Sequence, residues 1–183
     1  MVAIEANARA YLKCLVARGP HQLPGVRFLL GDAVAYLRTA PERFDLCLAS
    51  GILYHLRDPL ELLELIAARA VALLVWTHYY DADVIGRSPA FQALFAGRQV
   101  IERAGLRVTF HKRVYPRSAG RMAGFTGGGQ SYAHWLTRDD ILGTLGRLGF
   151  RGIETSEQPD HANGPALTLV ARRGPGGAPA PAR

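Results

Sequence analysis

Two histidines stand where a loop follows an apolar run. His55 lies in the stretch from Phe44 to Pro59, FDLCLASGILYHLRDP, and His78 follows Val75-Trp76-Thr77. Imidazole changes charge near neutral pH, so either ring can take a proton as a general base. Tyr54 adjoins His55, and Tyr79 and Tyr80 follow His78. Polar aromatics at such positions suit a substrate pocket, and they equally suit a loop that merely packs. The two histidines are not at helical metal-ligand spacing, and no acid or cysteine completes a set. No metal is assigned.

Two acids hold corresponding positions earlier in the chain. Glu5 follows Val2-Ala3-Ile4, and Asp32 lies in Gly31-Asp32-Ala33 after a second apolar run. A carboxylate at a strand's carboxyl end can accept from both hydroxyls of a ribose, or can simply be a solvated charge. Asp32 can accept from an exocyclic amine such as that of adenine, or can cap the helix that starts at Ala33. Ser50-Gly51, after a third apolar run, allows close approach of the backbone to a ligand.

Cations gather between residues 87 and 121. Arg87, Arg98, Arg103, Arg107, Lys112, Arg113, Arg117 and Arg121 stand against one acid, Glu102, with Phe110, Tyr115 and Phe125 nearby. Such a mixture can grip phosphates and stack bases, or can be a solvated face. The net charge is +7, yet Lys13 and Lys112 are the only lysines. Arg, Ala, Gly and Pro are all abundant, which fits a codon-composition bias as well as a nucleic-acid partner. Gly127-Gly128-Gly129 is no phosphate loop, because no Lys-Ser/Thr follows.

The elements that must position these residues follow from patterning. Val2–Ile4 reads as a strand, and Asn7 can cap a helix whose face is Tyr11, Leu12, Leu15 and Val16. Gly19-Pro20 stops it. Val26–Leu30 is a second strand, with a short helix over 33–39. Phe44–Ala49 is a third strand. Asp58-Pro59-Leu60-Glu61 combines a cap, a first-turn proline and a capping-box acid, and Leu60, Leu63 and Ala67 mark the helix face. Val71–Trp76 is a fourth strand. Continuous apolar runs predict strands buried on both faces of a parallel sheet. A helix is expected from Ser88-Pro89 to about Ala104, a strand over 106–115 and a loop over 116–131. Thr137–Asp140 starts another helix, with Ile141, Leu142, Leu145 and Leu148 on its face. Strands over 150–155 and 166–171, joined by Asn163-Gly164-Pro165, must be antiparallel. Strand–helix repetition of this kind predicts an open α/β sheet.

Composition sets the outer limits. With 183 residues, one domain of 1–173 is expected, with an insertion over about 81–131 and a disordered tail over 174–183. Apolar residues make up 49%, which excludes a disordered chain. Cys14 and Cys47 are the only cysteines, which excludes a disulfide scaffold. No apolar run reaches the ~18 residues of a membrane span. No signal peptide is recognisable at the N-terminus, so a cytoplasmic protein is expected.

In their order, these residues resemble the class I S-adenosylmethionine-dependent methyltransferases over roughly residues 2–172. The carriers are the acid-ended strand, Gly-Asp-Ala, the Leu-Tyr-His-Leu-x-Asp-Pro stretch, and the last helix with its antiparallel pair. Ser131–Thr137 and His161–Pro165 resemble one bacterial branch. The Ser-Gly-Ile-Leu-Tyr-His stretch is also similar to tRNA wobble-uridine carboxymethyltransferases. The resemblance implies a Rossmann-like α/β sheet, mostly parallel with a C-terminal antiparallel strand pair, and S-adenosyl-L-methionine as cofactor. It implies that Glu5, with Ala6 beside it, holds the ribose, that Asp32 and Ala33 read adenine, and that Ser50 and Gly51 line the methionine end. Tyr54, Tyr79 and Tyr80 then face a small-molecule or RNA substrate, and His55 and His78 are the candidate bases. The sequence departs from the family in lacking the first strand and its Gly-x-Gly-x-Gly loop. An N-terminally shortened chain is the expectation, or a sheet in which the flanking strands pair with each other. The competing readings are a non-catalytic remnant that binds RNA through the basic stretch, and a nicotinamide-dependent dehydrogenase that uses Glu5.

Overall fold

Cap residues start most helices where the sequence places them. The computed structural model describes residues 1–21, 23–103, 105–116 and 130–174. They fall into two compact units, one built on Met1–Pro41 and the other beginning at Glu42. Each is described separately.

The first unit is strand–helix–strand–helix. It contains β1 (Val2–Glu5), α1 (Ala8–Arg18), β2 (Arg27–Leu30) and α2 (Ala33–Thr39). The strands are parallel, with Glu5 opposite Leu30. The Asn7 side chain accepts from the Arg9 and Ala10 amides and starts α1. Asp32 starts α2 by accepting from the Ala35 amide at 2.7 Å. The expected apolar face of α1 is not buried. No residue of that helix is buried, and Leu12 and Val16 are 59% and 74% exposed. Within this unit a sheet of two short strands offers too little apolar surface to cover it.

The second unit carries two sheets. β3 (Phe44–Ser50), β4 (Ala70–His78), β8 (Phe150–Gln158) and β9 (Ala166–Arg173) form one, in the order β3-β4-β9-β8. β3 and β4 are parallel, and β9 runs antiparallel to both β4 and β8. The C-terminal antiparallel pair therefore has the arrangement that its short connection demands. Among the described residues, β1 pairs only with β2 and β3 only with β4. The expectation that β3 is buried on both faces fails, because Leu46 and Leu48 are 56% and 64% exposed. β3 is an edge strand and has one ladder instead of two.

The core of this unit lies where α3 (Pro59–Arg69) and α6 (Arg138–Arg147) cover the sheet. Leu60, Leu63, Ile66, Leu73, Val75, Ile141, Leu145, Leu167 and Leu169 are all buried. Asp58 caps α3 through the Glu61 amide at 3.0 Å, with Pro59 at its first turn. Thr137 caps α6 through the Asp140 amide at 3.0 Å.

The segment after β4 departs furthest from expectation. Of the helix predicted over 88–104 only one turn forms, α5 (Pro89–Gln92), and a short helix, α4 (Ala82–Gly86), precedes it. β5 (Phe95–Arg103) follows and pairs antiparallel with β6 (Leu106–Val114), which also pairs with β7 (Tyr132–Trp135). Two features oppose a continued helix. Gly97 holds φ +93°, a left-handed conformation. Val100 and Ile101 are β-branched and fit a hairpin better than a helix. The strand expected over 106–115 is present as β6. Residues 117–129, with Arg117, Arg121, Phe125 and Gly127 to Gly129, lie outside the described residues, as does the tail from Pro175.

Candidate active site

Histidine 78 is the best-oriented base in the second unit. It ends β4, is 5% exposed, and its Nδ1 lies 2.9 Å from the Gly164 carbonyl and 3.2 Å from the Pro165 carbonyl. A carbonyl oxygen can only accept, so Nδ1 must donate. That places the proton on Nδ1 and leaves the lone pair on Nε2. Trp135 stacks on the ring at 5.2 Å with a 7° interplanar angle. Tyr54 meets it edge-on at 4.6 Å, and His161 at 5.1 Å.

The loop after β3 brings the other sequence candidates to the same place. Ser50 lies opposite Trp76 in the β3–β4 ladder, and the Gly51 amide donates to the Trp76 carbonyl at 2.9 Å. Gly51 sits at φ +75°, which its lack of a Cβ permits. A one-turn 3₁₀ segment, Leu53–His55, then carries Tyr54 and His55. β7 holds this loop in place, since the His134 amide donates to the Leu56 carbonyl at 2.8 Å. His55 Nδ1 lies 3.0 Å from the Tyr115 hydroxyl, which also reaches the Tyr54 carbonyl at 3.3 Å. That hydroxyl has one proton and two acceptors to choose from, so the His55 tautomer is not fixed as His78's is.

Burial sets the charges. It is the main cause that pushes His55 down to about 4, with Arg113 and His78 adding to the effect. Burial also lowers His78, and its carbonyl partners act in the opposite direction. Neutral imidazoles result, which is the form a base requires. Burial raises the Tyr54 and Tyr115 hydroxyls, and Arg113 opposes the rise in both.

Tyr80 and Tyr79 go to different places. Tyr80 stacks on His111 at 3.5 Å. Tyr79 is 3% exposed, with Glu157, Asp81 and Arg138 as charged neighbours. The structure therefore brings Ser50, Gly51, Tyr54, His55 and His78 together and leaves Tyr79 apart.

Four cluster members escaped the sequence reading as site residues. These are Arg113, Tyr115, Trp135 and His161. The Arg113 guanidinium lies 5.1 Å from both the Tyr115 and the Trp135 ring centres. His161 Nδ1 accepts from the Asn163 amide at 3.2 Å, so its own proton sits on Nε2. Trp135 and His161 belong to the Ser131–Thr137 and His161–Pro165 segments, whose patterning was visible while their meeting was not.

In the first unit, Glu5 and Asp32 share the carboxyl edge of the β1–β2 pair. The Gly31 amide donates to the Glu5 carbonyl at 3.0 Å. Glu5 Oε1 accepts from the Asn7 amide at 2.7 Å, and Asp32 Oδ1 accepts from Ala35. One oxygen of each acid thus fixes its orientation. The second oxygen of each has no hydrogen-bond partner among the described residues. Ala6 and Ala33 follow directly at the same edge.

The basic stretch is largely occupied. Arg103 makes a two-pronged bond to Asp58 at 2.7 and 3.0 Å and lies 3.0 Å from Glu64. Arg107 faces Glu102 at 3.7 Å, and Lys112 lies 4.5 Å from the Tyr132 ring centre. Among the described residues, these three cations have partners on the second sheet and its neighbours.

No protein-family model matches the chain. No curated protein matches it either. Solved structures do share its fold. The N-terminal domain of EvdMO1, crystallised with SAH bound, matches over 94% of this chain and 64% of its own, at TM-score 0.69 and 21% identity. The chain thus spans just under two thirds of that domain. An S-adenosylmethionine-dependent methyltransferase from Clostridium acetobutylicum matches over 94% of this chain and 74% of its own, at TM-score 0.57 and 10% identity. Magnesium protoporphyrin IX methyltransferase from Synechocystis, with bound SAH, matches over 94% and 64%, at TM-score 0.56 and 14% identity. This chain therefore has the fold that these three structures share, two of them methyltransferases by name.

Proposed function

We propose that this chain carries out S-adenosylmethionine-dependent methyl transfer to a small-molecule acceptor. The observation that carries the reading is the fold match over 94% of the chain to a domain crystallised with SAH bound. SAH is what the cofactor becomes once its methyl group has left. Within the first unit, Glu5 and Asp32 each keep a carboxylate oxygen able to accept from ribose hydroxyls and an adenine amine. Within the second, Gly51 offers backbone that no Cβ obstructs.

When bound, the cofactor supplies an electrophilic methyl group on a sulfonium. The protein's share is alignment and proton removal. His78 Nε2 takes the acceptor's proton, and the Gly164 and Pro165 carbonyls steady the imidazolium that forms, as acceptors on Nδ1. Tyr54 and Trp135 flank that ring and keep water from it. His55 is the second candidate base, held by Tyr115. Tyr54 faces the acceptor, and Tyr80, stacked on His111, lies apart from it. Tyr79 has the weakest claim, because its surroundings are Glu157 and Arg138. Nothing in the site favours carboxymethyl transfer, and the pairing of Arg103, Arg107 and Lys112 counts against an RNA-binding remnant.

Equilibrium dialysis with radiolabelled S-adenosylmethionine tests the reading. Saturable binding that weakens at least tenfold in Glu5→Ala and Asp32→Ala is the expected result. Absence of saturable binding, or binding indifferent to both substitutions, sinks it.

A further inference from the structure

A cavity of about 640 Å³ opens in the second unit away from the His55–His78 cluster. Tyr80, Gln92, Phe95, Arg98, Thr109 and His111 are among its lining residues. Its size suits a small ligand, since such sites run roughly 300–1,000 Å³. One wall is a preformed aromatic stack. The Tyr80 and His111 rings lie 3.5 Å apart at 6°, and Phe95 meets Tyr80 edge-on at 5.2 Å. Such a wall is rigid and offers apolar surface to a ring.

Charge enters this cavity through a backbone irregularity. Phe95 lies opposite Arg113, but Arg98 lies opposite His111, so β5 carries an extra residue. Gly97, at φ +93°, sits within that bulge. Without it the register would set Arg98 against Phe110. The extra residue turns Arg98 to the face that His111 occupies. Arg98 is exposed and makes no ion pair among the described residues. Among the described residues it is the only charged side chain lining the cavity, because burial keeps His111 neutral by lowering it to about 4. Asp140 Oδ2 is bound to the Thr109 amide at 3.1 Å and is not a lining group.

We infer that this cavity binds a small ring compound bearing one carboxylate or phosphate that Arg98 pairs. The ring lies along the Tyr80–His111 wall, and Gln92 and Thr109 supply hydrogen bonds to its substituents. Phe95 touches Trp135 edge-on at 5.3 Å, and Trp135 stacks on His78, so packed rings stand between this cavity and His78. A polynucleotide is a poor fit, because it needs many cations along a track and this cavity has one. The ligand class does not rest on the methyl-transfer reading.

Saturation-transfer NMR on the full chain, without cofactor, reads the ligand class directly. The probes are 4-hydroxybenzoate, phenyl phosphate and neutral 4-hydroxybenzyl alcohol. At least one anionic probe is expected to bind about tenfold more tightly than the alcohol. Arg98→Gln should abolish that difference, and Arg98→Lys should keep most of it. Arg98 is exposed, so neither variant threatens the fold. Equal binding of charged and neutral probes, no effect of Arg98→Gln, or tight binding of a tRNA transcript in place of the small probes overturns the inference. Dialysis with S-adenosylmethionine separates the two claims. If an anionic probe binds through Arg98 and S-adenosylmethionine does not bind, methyl transfer falls and the cavity assignment stands. If S-adenosylmethionine binds and no probe shows the preference, the cavity assignment falls alone.

Discussion

At the scale of single residues, His78 and His55 differ in what holds them. Two backbone carbonyls face His78 Nδ1, and carbonyls cannot donate. Long-range ¹⁵N NMR should therefore show His78 protonated at Nδ1 and bare at Nε2 around neutral pH. The opposite tautomer would remove His78 from the role of base. His55 answers to a hydroxyl that can rotate, so Tyr115→Phe should change its tautomer balance and leave His78 unaffected. The histidines, Tyr54 and the two acids were legible as chemistry because their types and their places after apolar runs are sequence facts. Their partners were not. Tyr115 is 60 residues from His55, and Gly164 is 86 from His78. No local pattern encodes contacts at such separations.

At the scale of elements, loop geometry and caps hold these side chains. Gly164 has φ +106°, and a Cβ there would stand 2.8 Å from a Phe91 ring carbon. Gly164→Ala should destabilise the protein by about 1–3 kcal/mol in urea unfolding. It should also perturb the His78 Nδ1 resonance, because the strained residue carries the carbonyl that binds it. An unchanged midpoint and resonance would dismiss this turn as a support. Asp58 both caps α3 and receives Arg103. Burial alone would raise its carboxyl, but the bonds from Arg103 and the Glu61 amide outweigh that and lower it. Asp58→Ala should cost about 1 kcal/mol for the cap, with a small addition for a half-exposed ion pair. Every capping residue named from sequence caps its helix, because a cap acts within three residues. The helix expected over 88–104 is mainly strand, because β6 pairs with it and Gly97 accepts the bulge.

Over the whole molecule, burial is uneven and lowers three histidines, His55, His78 and His111. His55 and His111 are each lowered from 6.5 to about 4 in the folded protein. Between those values the unfolded chain binds more protons than the folded one. Stability is then fully present above about pH 6.5 and declines as pH falls toward about 4. Urea midpoints measured across that range should fall, and the double variant His55→Gln with His111→Gln should flatten the fall. An equally steep decline in the double variant would assign it to other groups, such as His78 and Asp58. Hydrogen exchange should also be uneven. α1 buries no residue, and β4 and β9 lie inside a four-stranded sheet, so α1 amides should exchange first.

Outside the segment from α4 to β7, the sequence by itself determined the succession of strands and helices, with their caps, the antiparallel end and the residue types able to bind or take protons. These depend on local propensity and short-range hydrogen bonds. Tertiary structure alone decided the second sheet, the exposed edge at β3, the ring cluster around His78 and the turn of Arg98 toward His111. Each of those results from pairing between residues far apart in the chain, where a one-residue bulge changes which side chain faces the cavity.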